Sequence, residues 1–461
     1  VMSQYKAEHY EFATNGLDAK HSSKDLFKGD HTFNTVLILA SLLLAFIFGY
    51  TGIVLALNIF SFSFFLYRFI LTLIGLTGDK DDEKKVEYSK DLPKYAILLP
   101  MRNEPIDVVQ TLIKNIDNIN YPKDKLDVVM LVDIDDEHLT DIKALDKPDH
   151  FRILSSEATF PFTKPKVCNL GLATTDAEFV TIYDAEDEPE ADQLLKVLYK
   201  FQDENVACVQ CRLHYNNANP NWLSRFFTLE YLTWFSTTIV GLAKSQGRGA
   251  VVPLGGTSQH LRAAQLMEIG GWDALNVTED CDLGIRLSRL GYTTVVSNSY
   301  TNEIAVKRLK FFIPQRTRWQ MGFMVTYINH CKNFPALIRE LGVYRFFHFL
   351  MTILGNFLNP LITPLLFFIW VRSTFFGYGG ETFLNWLPMV TLIGNYLLIV
   401  LSHLLASILF QKGKYWYMSL LQPFYYLIQV VTVYRAVYKL FTATYTWEKT
   451  PHEVDKVASK K

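Results

Sequence analysis

Three carboxylates stand within four residues at Glu279, Asp280 and Asp282, where an apolar pattern typical of a helix begins. A helix N-terminus stabilises negative charge, so the group could be a simple helix cap. Asp280 could instead be a general base that removes a proton from a substrate hydroxyl. Taken alone these residues favour the cap, and the choice depends on the rest of the chain.

Further acidic groups follow apolar runs that are typical of buried strands. Asp133, Asp135 and Asp136 end one run, and Asp184 and Glu186 come after the next. Carboxylates at i and i+2 beyond a strand, such as Asp184 and Glu186, can chelate a hard cation such as Mg²⁺ or Mn²⁺, which takes oxygen ligands. A solvated acidic loop is the alternative. One acid of the first group could accept hydrogen bonds from a nucleotide.

Basic and aromatic residues supply complementary candidates. Lys164 and Lys166 could hold phosphates, although such a lysine pair usually lies on the surface. Gln315, Arg318 and Trp319 form a QxxRW pattern. Arginine makes forked contacts with phosphate oxygens, and tryptophan stacks on sugar faces. An aromatic and basic anchor at a membrane interface is the alternative.

Two more groups could contact a ligand. Gly256 and Thr257 lie in a Gly-Gly-Thr-Ser sequence, where glycine lets the backbone approach a ligand closely. An ordinary turn is the alternative there. Asn103 and Glu104 follow an apolar run that ends at Pro100, so they would lie beyond the end of a strand.

Alternating patterns predict the elements that position these groups. Between residues 93 and 305, short apolar runs alternate with amphipathic ones. This predicts an α/β domain with a mostly parallel, Rossmann-like sheet and helices on both faces. Ligands of such sheets bind beyond the carboxyl ends of the strands, where the polar groups fall. The predicted elements are strand 95–100, helix 106–118 and strands 126–132 and 179–183.

The composition indicates a water-soluble domain between membrane segments. Of 461 residues, 49% are hydrophobic and 20% are charged, and the mean hydropathy is +0.11. The apolar residues are concentrated in separate stretches. A net charge of −1 gives no reason to expect a nucleic acid partner. Five scattered cysteines indicate reduced thiols on a cytosolic face.

Apolar stretches flank this domain. Residues 32–77 are long enough for two antiparallel transmembrane helices with a turn at Gly49. Residues 343–440 predict two further spans, and the positive-inside rule places the later basic segments in the cytosol. Within 416–440, Pro423 breaks the pattern, which favours an interfacial or re-entrant segment. The predicted organisation is a polar segment 1–31, transmembrane helices in 32–77, a cytosolic domain 93–305, amphipathic interface helices 306–342, transmembrane or re-entrant helices 343–440 and a cytosolic tail 441–461.

The ordered set of motifs is more specific than any single one. An acidic strand end, the DxE of Asp184 and Glu186, the TED that ends at Asp280 and the QxxRW are followed by apolar helices. Over about residues 33–450, this order resembles the membrane-embedded processive branch of glycosyltransferase family 2, which includes cellulose, hyaluronan and poly-N-acetylglucosamine synthases. The resemblance implies a GT-A-like fold for the α/β domain.

The resemblance also implies a role for each group. It makes Asp280 the general base with Glu279 beside it, and it makes Asp184 and Glu186 the ligands of Mg²⁺ or Mn²⁺. Glutamate at the second metal position departs from the DxD of the family. The other implied residues are Asn103, Glu104, Asp135, Asp136, Lys166, Asp184 and Arg318 for the donor nucleotide, Gly256, Thr257, Gln315 and Trp319 for the acceptor, and Trp447, Lys449 and Thr450 for a gating loop.

The implied activity is an inverting transfer from a UDP-sugar, with UDP-glucose or UDP-N-acetylglucosamine as the expected donor. The product would be a β-linked polysaccharide that the enzyme elongates and translocates across the plasma membrane. Transfer of one sugar to a lipid-linked or membrane acceptor is the alternative, and a non-catalytic glycan transporter or scaffold is a third. The implied partners are the donor, the growing glycan or lipid-linked acceptor, and the lipid bilayer. The oligomeric state stays open.

Overall fold

The structure, a computed structural model, describes residues 5–18, 21–27, 32–77, 84–217, 221–245, 250–376, 382–411 and 413–442. Within these ranges one mixed eight-stranded sheet packs against helices. Long apolar helices precede and follow the sheet in the chain. The strands are β1 (Tyr95–Met101), β2 (Leu126–Asp133), β3 (Phe151–Ser156), β4 (Phe179–Ile182), β5 (Glu188–Pro189), β6 (Val206–Tyr215), β7 (Gln259–Arg262) and β8 (Thr293–Glu303).

The sheet has the strand order β3-β2-β1-β4-β7-β6-β8-β5. Strands β3, β2, β1 and β4 are parallel to one another, and β6 is parallel to β8. Strand β7 runs antiparallel to β4 and β6, and β5 runs antiparallel to β8. The α/β architecture is therefore confirmed, and the carboxyl ends of β1, β2 and β4 meet at one edge of the sheet.

The helices include every one predicted within the α/β domain. Two π-helical turns, Trp234–Thr238 and Leu350–Leu354, each join two consecutive helices. The helices are α1 (Ala7–Asn15), α2 (Thr32–Gly75), α3 (Ile106–Asp117), α4 (Leu139–Ala144), α5 (Lys164–Ala173), α6 (Gln193–Lys200), α7 (Trp222–Thr233), α8 (Ile239–Lys244), α9 (Ala263–Glu268), α10 (Glu279–Arg289), α11 (Leu309–His330), α12 (Phe334–Phe349), α13 (Gly355–Phe376), α14 (Thr382–Gln411), α15 (Trp416–Ser419) and α16 (Gln422–Thr442).

Both faces of the central strand β1 are buried. Its alternate residues enter two separate apolar clusters, with Ile97 and Leu99 in one and Ala96 and Leu98 in the other. Successive side chains of a strand point to opposite faces, so a strand covered on both sides reads as one continuous apolar run. This is why the sequence pattern located β1 to within one residue.

The N-terminal segment docks on the α/β domain and on α11. The Ser23 backbone N–H donates to Asp273 Oδ2 at 2.7 Å, in the loop that precedes α10. Lys332 donates to the carbonyl of Ser22 at 2.8 Å, and Asn329 donates to the carbonyl of His21 at 2.6 Å. The polar segment is thus held against the same part of the molecule that carries the TED motif.

Three stretches of the described residues are long and apolar enough to cross a membrane: Phe46–Gly75, Leu309–Phe376 and Asn385–Phe410. The helical direction of α2 breaks at Gly49, the first residue of the predicted turn, where φ is 59° and ψ is −158°. A positive φ is accessible to glycine because it has no Cβ. The two-span interpretation of residues 32–77 stays a prediction.

Helix α16 begins at the proline that was expected to interrupt it. Pro423 is the second residue of α16, which then continues without a break to Thr442. Proline is tolerated in the first helical turn, because the amide that it lacks has no helical partner there. The short helix α15 ends at Ser419, so the expected break within 416–440 lies at residues 420–421, directly before α16. The interfacial or re-entrant interpretation of the segment stays a prediction.

A buried ionic network anchors the first turn of α10. Asp282, which is fully buried, accepts from Arg286 Nε at 2.8 Å and bonds to His330 Nε2 of α11 at 3.0 Å. Arg286 also donates to the carbonyls of Ile269 and Gly271. Burial opposes the charge of Asp282, yet Arg286 and His330 hold its pKa below the usual value. Asp282 is therefore a structural acid.

We expect Asp282→Asn to destabilise the protein by about 3–5 kcal/mol, because it leaves the Arg286 charge buried without its partner. Denaturant unfolding in detergent measures this change. Asp176→Asn is the matched control. Its ion pair with Lys94 lies at the surface, with side chains 78% and 42% exposed, and should contribute less than about 1 kcal/mol. Equal effects of the two substitutions would contradict the anchoring role.

Candidate active site

A cavity of about 550 Å³ lies at the carboxyl ends of the strands and extends between the long apolar helices. It collects residues from distant parts of the sequence, since the parallel strands end at one edge of the sheet. The residues of the predicted site that line it are Glu104, Asp184, Glu186, Gly256, Thr257, Glu279, Asp280, Gln315, Arg318 and Trp319.

Asp280 stands at the start of α10 with its carboxylate at the cavity. Oδ1 accepts from the Cys281 backbone N–H at 2.8 Å, which fixes the rotamer. A Cβ on Gly256 would lie 3.3 Å from Asp280 Oδ2, so the glycine leaves room beside the second oxygen. Burial raises the pKa of Asp280, while the Cys281 N–H, Lys164 and Arg318 oppose that rise. This arrangement suits a proton acceptor.

Glu279 is more deeply buried than its neighbour. Burial and the charge of Asp280 raise the pKa of Glu279 to about 7, although Lys164 lowers it. Lys164 and Arg318 oppose the rise in the pKa of Asp280, and its carboxylate faces the open part of the cavity. Asp280 is therefore the better candidate for the base of the pair.

Lys164 joins the acidic strand end to the glycine turn. Its Nζ lies 2.5 Å from Asp184 Oδ1 and donates to the carbonyl of Gly256 at 2.8 Å. Although burial opposes the charge, Asp184 and Glu279 raise the pKa of Lys164. A fixed cation thus stands at the cavity, where a diphosphate could meet it.

Lys166, expected at the nucleotide, lies elsewhere. Its Nζ donates to the carbonyls of Glu157 and Thr159 at 3.0 and 2.7 Å, and it is absent from the cavity lining. Residues two apart on a helix point in nearly opposite directions. Because α5 begins at Lys164, Lys164 faces the cavity and Lys166 braces the neighbouring loop.

An acidic cluster surrounds the DxE loop. Asp187 is buried, its Oδ2 bonds to the Thr257 hydroxyl, and its Oδ1 accepts no hydrogen bond from any described residue. Burial and the charges of Asp184 and Glu186 raise the pKa of Asp187. Burial and the same acids also raise the pKa of Glu303, at the end of β8. These carboxyls repel one another, and a cation would relieve that repulsion.

The acidic loop fits a divalent metal that a substrate helps to hold. Within the described ranges, no three His, Cys, Asp or Glu side chains are grouped as a ready-made metal site. Asp184 and Glu186 line the cavity and could supply carboxylate oxygens. Magnesium is commonly bound by one or two carboxylates together with substrate phosphates. Asp184 and Glu186 would thus be the protein ligands.

The acids after β2 brace a loop. Asp136 accepts from the backbone N–H groups of Asn103 at 2.6 Å and His138 at 2.8 Å. Asn103 has a φ of 52°, a conformation that asparagine tolerates better than most residues. Asp135 is half exposed and lies 3.8 Å from Arg102. None of Asp135, Asp136 and Asn103 is among the cavity-lining residues.

Asp133, the last residue of β2, lines the cavity in their place. It accepts from the Ser156 hydroxyl at 2.7 Å and from Arg102 at 3.2 Å. Burial raises the pKa of Asp133, and the Ser156 hydroxyl opposes this. Asp133 belongs to the acidic strand end that the sequence singled out, from which the family resemblance selected Asp135 and Asp136 instead. Glu303, a single acid without a motif, carried no comparable signal.

Helix α11 brings the QxxRW residues to the cavity. Arg316 forms a forked ion pair with Glu230, at 2.8 and 2.5 Å, so both of its Nη atoms are used in a contact within the protein. Arg318 lies near enough to Glu279 and Asp280 to lower the pKa of each. It therefore faces the acids at the start of α10, and its implied contact with the donor diphosphate stays a prediction.

The aromatic member of the motif is partly packed. Trp319 stacks on Tyr231 with ring centroids 6.0 Å apart, and the Arg316 guanidinium lies 4.4 Å from its ring centroid. It still lines the cavity, as does Gln315, whose buried Oε1 accepts no hydrogen bond within the described chain. Both residues are placed where an acceptor could reach them.

A glycine allows α11 to approach the TED turn. A Cβ on Gly322 would lie 2.2 Å from the Thr278 methyl group, which no side chain could tolerate. Asn276, in the same turn, donates to Thr326 of α11 at 3.0 Å. The QxxRW helix and the start of α10 therefore form one packed unit. The expected gating-loop residues Trp447, Lys449 and Thr450 lie outside the described residues.

Comparisons with known proteins agree with this geometry. The description Glycosyl transferase family group 2 matches residues 179–447, and Glycosyl transferase family 2 matches residues 96–251. The fold resembles mannosyltransferase PcManGT from Pyrobaculum calidifontis, solved with GDP-Man and Mn²⁺, at a TM-score of 0.53 and 16% identity, over 85% of this chain and 99% of that one. The α/β domain is thus GT-A-like.

Relatives in sequence point to the same family. A probable glycosyltransferase, YdaM, of Bacillus subtilis is 27% identical over 64% of this chain and 70% of its own length. A beta-monoglucosyldiacylglycerol synthase of Nostoc is 27% identical over 62% of this chain and 60% of its own length. Glucomannan 4-beta-mannosyltransferase 1 of Cyamopsis tetragonoloba is 26% identical over 58% of this chain and 53% of its own length.

The chain therefore spans only about half to two thirds of the length of several relatives that it matches. One family description nevertheless covers more than half of this chain and includes the DxE, TED and QxxRW residues. The chain belongs to glycosyl transferase family group 2 and is a hexosyltransferase.

Proposed function

We propose that the protein transfers a hexose from a nucleoside diphosphate sugar to an acceptor hydroxyl, with inversion, to give a β-glycoside. One observation carries this proposal: a single cavity joins Lys164 and Asp184 at the strand ends, Asp280 at the start of α10, and the apolar helices beyond. The cation at Lys164 suits a diphosphate, the carboxyl group of Asp280 suits a proton transfer, and the apolar helices suit a membrane-borne acceptor.

For the donor we propose UDP-glucose or UDP-N-acetylglucosamine. The diphosphate would lie near Lys164 and Arg318, because charge-assisted hydrogen bonds to phosphate oxygens are strong. Asp133 and Glu104 line the adjoining wall and could accept hydrogen bonds from the nucleotide. GDP-mannose is the main competitor, since the structural neighbour was solved with it.

A divalent ion, Mg²⁺ or Mn²⁺, fits the acidic loop. Asp184 and Glu186 would hold it, and its positive charge would lower the pKa of the buried Asp187 and Glu303. When bound, it supplies charge stabilisation to the departing diphosphate.

The chemical step follows from the placement of Asp280. The acceptor O–H bond breaks as its proton moves to the Asp280 carboxylate, and the acceptor oxygen forms a bond to the anomeric carbon. The bond from that carbon to the diphosphate oxygen breaks, and its electron pair leaves on the nucleoside diphosphate. General-base help of this kind contributes roughly 10²–10⁴-fold. Arg318 and Lys164 would stabilise the leaving charge.

For the acceptor we propose the hydroxyl of a membrane-borne molecule, a lipid or a lipid-linked glycan. The apolar helices that continue the cavity support this choice, and a relative is named a beta-monoglucosyldiacylglycerol synthase. The second candidate is processive elongation and export of a β-linked polysaccharide. The buried amide oxygens of Gln315 and Gln320, which accept no hydrogen bond from described residues, favour it, because hydroxyl groups of a glycan could bond to them.

The membrane arrangement belongs to the same proposal. The candidate spans would place the protein in the plasma membrane as a multi-pass chain, with the α/β domain in the cytosol where nucleotide sugars are available. The catalytic residues would then lie close to the membrane surface, because α11 carries the QxxRW motif inside a candidate span.

A donor and product screen tests the reaction. We expect the purified protein with Mg²⁺ or Mn²⁺ to release UDP from UDP-glucose or UDP-N-acetylglucosamine when membrane lipids are present. The product is then sized and treated with β-specific glycosidases. One added sugar on a lipid supports the first candidate, and a long water-soluble chain supports the second. No nucleotide release from any donor, including GDP-mannose, would reject the enzyme proposal.

We expect Asp280→Asn to lower kcat by roughly 10²–10⁴-fold while UDP binding is kept, because asparagine cannot accept the proton. Single-turnover kinetics and UDP binding by calorimetry measure the two effects. Glu279→Gln is the matched control and should lose less than about tenfold, since Glu279 is partly protonated near neutral pH. Near wild-type turnover by the Asp280 variant would make the base assignment wrong.

The pH profile separates the two acids. The base works as a carboxylate, so kcat/KM falls as pH decreases through the pKa of Asp280, which burial raises above its usual value. Glu279→Gln should keep this acid limb and remove any inflection near pH 7. Loss of the acid limb in Glu279→Gln would instead identify Glu279 as the base.

Trp319→Ala should raise the KM for the acceptor about tenfold or more and change donor KM little, because base or sugar stacking on an aromatic face contributes roughly 1–3 kcal/mol. Steady-state kinetics with each substrate varied in turn measure this difference. Trp222→Ala is the matched control, since Trp222 is 49% exposed and lies outside the cavity lining. Equal losses for donor and acceptor would remove the platform role of Trp319.

A further inference from the structure

The cavity has a second part that the chemical step does not use. Beyond Asp280 it continues between α2, α13, α14 and α16, a region that we call the membrane arm. Six residues of this arm carry the argument below. They are Arg68, Asn356, Asn359, Asn395, Phe424 and Leu427, and all of them line the cavity.

Arg68 places a positive charge inside an apolar helix. It lies in the candidate span Phe46–Gly75, seven residues before the end of α2, or about 10 Å along the helix axis. Its Nη1 donates to Asn356 Oδ1 at 3.3 Å, and its guanidinium lies 5.1 Å from the centroid of the Trp234 ring. A charge at such a position is costly and usually marks a functional contact.

No carboxylate neutralises this arginine. In the part of the chain that the structure describes, no acidic oxygen lies within 4.0 Å of its nitrogen atoms. Glu230 also lines the cavity, but its two oxygens are bonded to Arg316 and to the Tyr425 hydroxyl. The free face of the Arg68 guanidinium therefore suits an external anion, and its planar fork matches a phosphate group.

Two amide oxygens in the lining of the same cavity have no hydrogen-bond donor among the described residues. Asn359 and Asn395 are 2% and 5% exposed, and their Oδ1 atoms accept no hydrogen bond from described residues. Their amide nitrogens are already used, by the Gly355 carbonyl and the Ser61 hydroxyl. A buried acceptor without a partner is costly, so these two oxygens suit the hydroxyl groups of a ligand.

The membrane arm reaches the outer surface of the helices. Phe424 and Leu427 of α16 line the cavity and yet are 61% and 54% exposed. Leu392 and Tyr396 of α14 line the facing wall. The largely exposed side chains of Phe424 and Leu427 therefore connect the lining of the arm with the outer apolar surface of α16, on the side that the bilayer would occupy.

We propose that the membrane arm binds the head group of an anionic, hydroxyl-bearing membrane lipid. Arg68 holds the phosphate, Asn359 and Asn395 accept hydrogen bonds from head-group hydroxyls, and the hydrocarbon chains leave between Phe424 and Leu427. This deepens the proposed function, on which it rests for the role of the lipid as acceptor: a head-group hydroxyl would be the group that Asp280 deprotonates.

Lipid binding by the full-length protein in detergent tests this site. The probes are short-chain phosphatidylglycerol, phosphatidylcholine and sn-glycerol 3-phosphate, and native mass spectrometry measures the dissociation constants. We expect preferential binding of phosphatidylglycerol. Arg68→Gln should weaken that binding roughly ten- to a hundredfold, as is typical when a charge-assisted hydrogen bond is lost, and Arg68→Lys should weaken it less.

Controls separate this site from general effects. Arg372→Gln makes the same change on α13 outside the cavity lining and should leave the affinity unchanged, and thermal melting checks that each variant folds. Equal binding of phosphatidylcholine, equal binding of sn-glycerol 3-phosphate, or an unchanged affinity in Arg68→Gln would overturn the proposal. Turnover is measured on the same unsubstituted protein, because lipid binding that depends on Arg68 in a protein that releases nucleotide from no donor would reject the enzymatic role and keep the lipid site.

Discussion

The position at which helix α10 begins decides the geometry of the site. Asp282 is fully buried and bonds to Arg286 and to His330 of α11. Loss of either partner would leave a buried charge uncompensated, so these contacts fix the position of the first turn of α10. Asp280 lies two residues earlier in the same helical turn, so its backbone is held in place by the same contacts while its carboxylate faces the cavity. The adjacent acids can therefore take different tasks, since Asp282 is an anchor, Asp280 faces the cavity and burial raises the pKa of Glu279 to about 7.

The charge balance around the cavity is uneven. Acids crowd the DxE loop and the end of β8, and burial raises the pKa of Asp187 and of Glu303. Lys164 offsets part of this charge through Asp184. A diphosphate would add further negative charge, which makes a bound cation the simplest way for donor and protein to lie together. The same crowding explains why a lone acid such as Glu303 matters although it belongs to no motif.

The sequence predicted the α/β domain well because its strands are covered on both faces and appear as continuous apolar runs. It also located Asp280 and Asp184 at the cavity, since spacing within a motif survives folding. It selected Lys166 for the nucleotide, whereas Lys164 lines the cavity, because this choice depends on the residue at which α5 begins. Glu303 carried no sequence signal, because the approach of β8 to the acidic loop is a tertiary contact. Pro423 marked the interruption of 416–440, because proline is tolerated in the first turn of a helix but not in its interior.

The docking of the N-terminal segment has a consequence for membrane topology. The carbonyls of His21 and Ser22 are bonded to α11 and to the turn after it, and the chain after α2 enters the α/β domain. The segment before α2 and the segment after it therefore both contact the α/β domain. Any path between two points on one side of a bilayer crosses it an even number of times. If α2 enters the membrane, this parity requires a return, and Gly49, whose φ is 59°, is the residue at which the path can reverse.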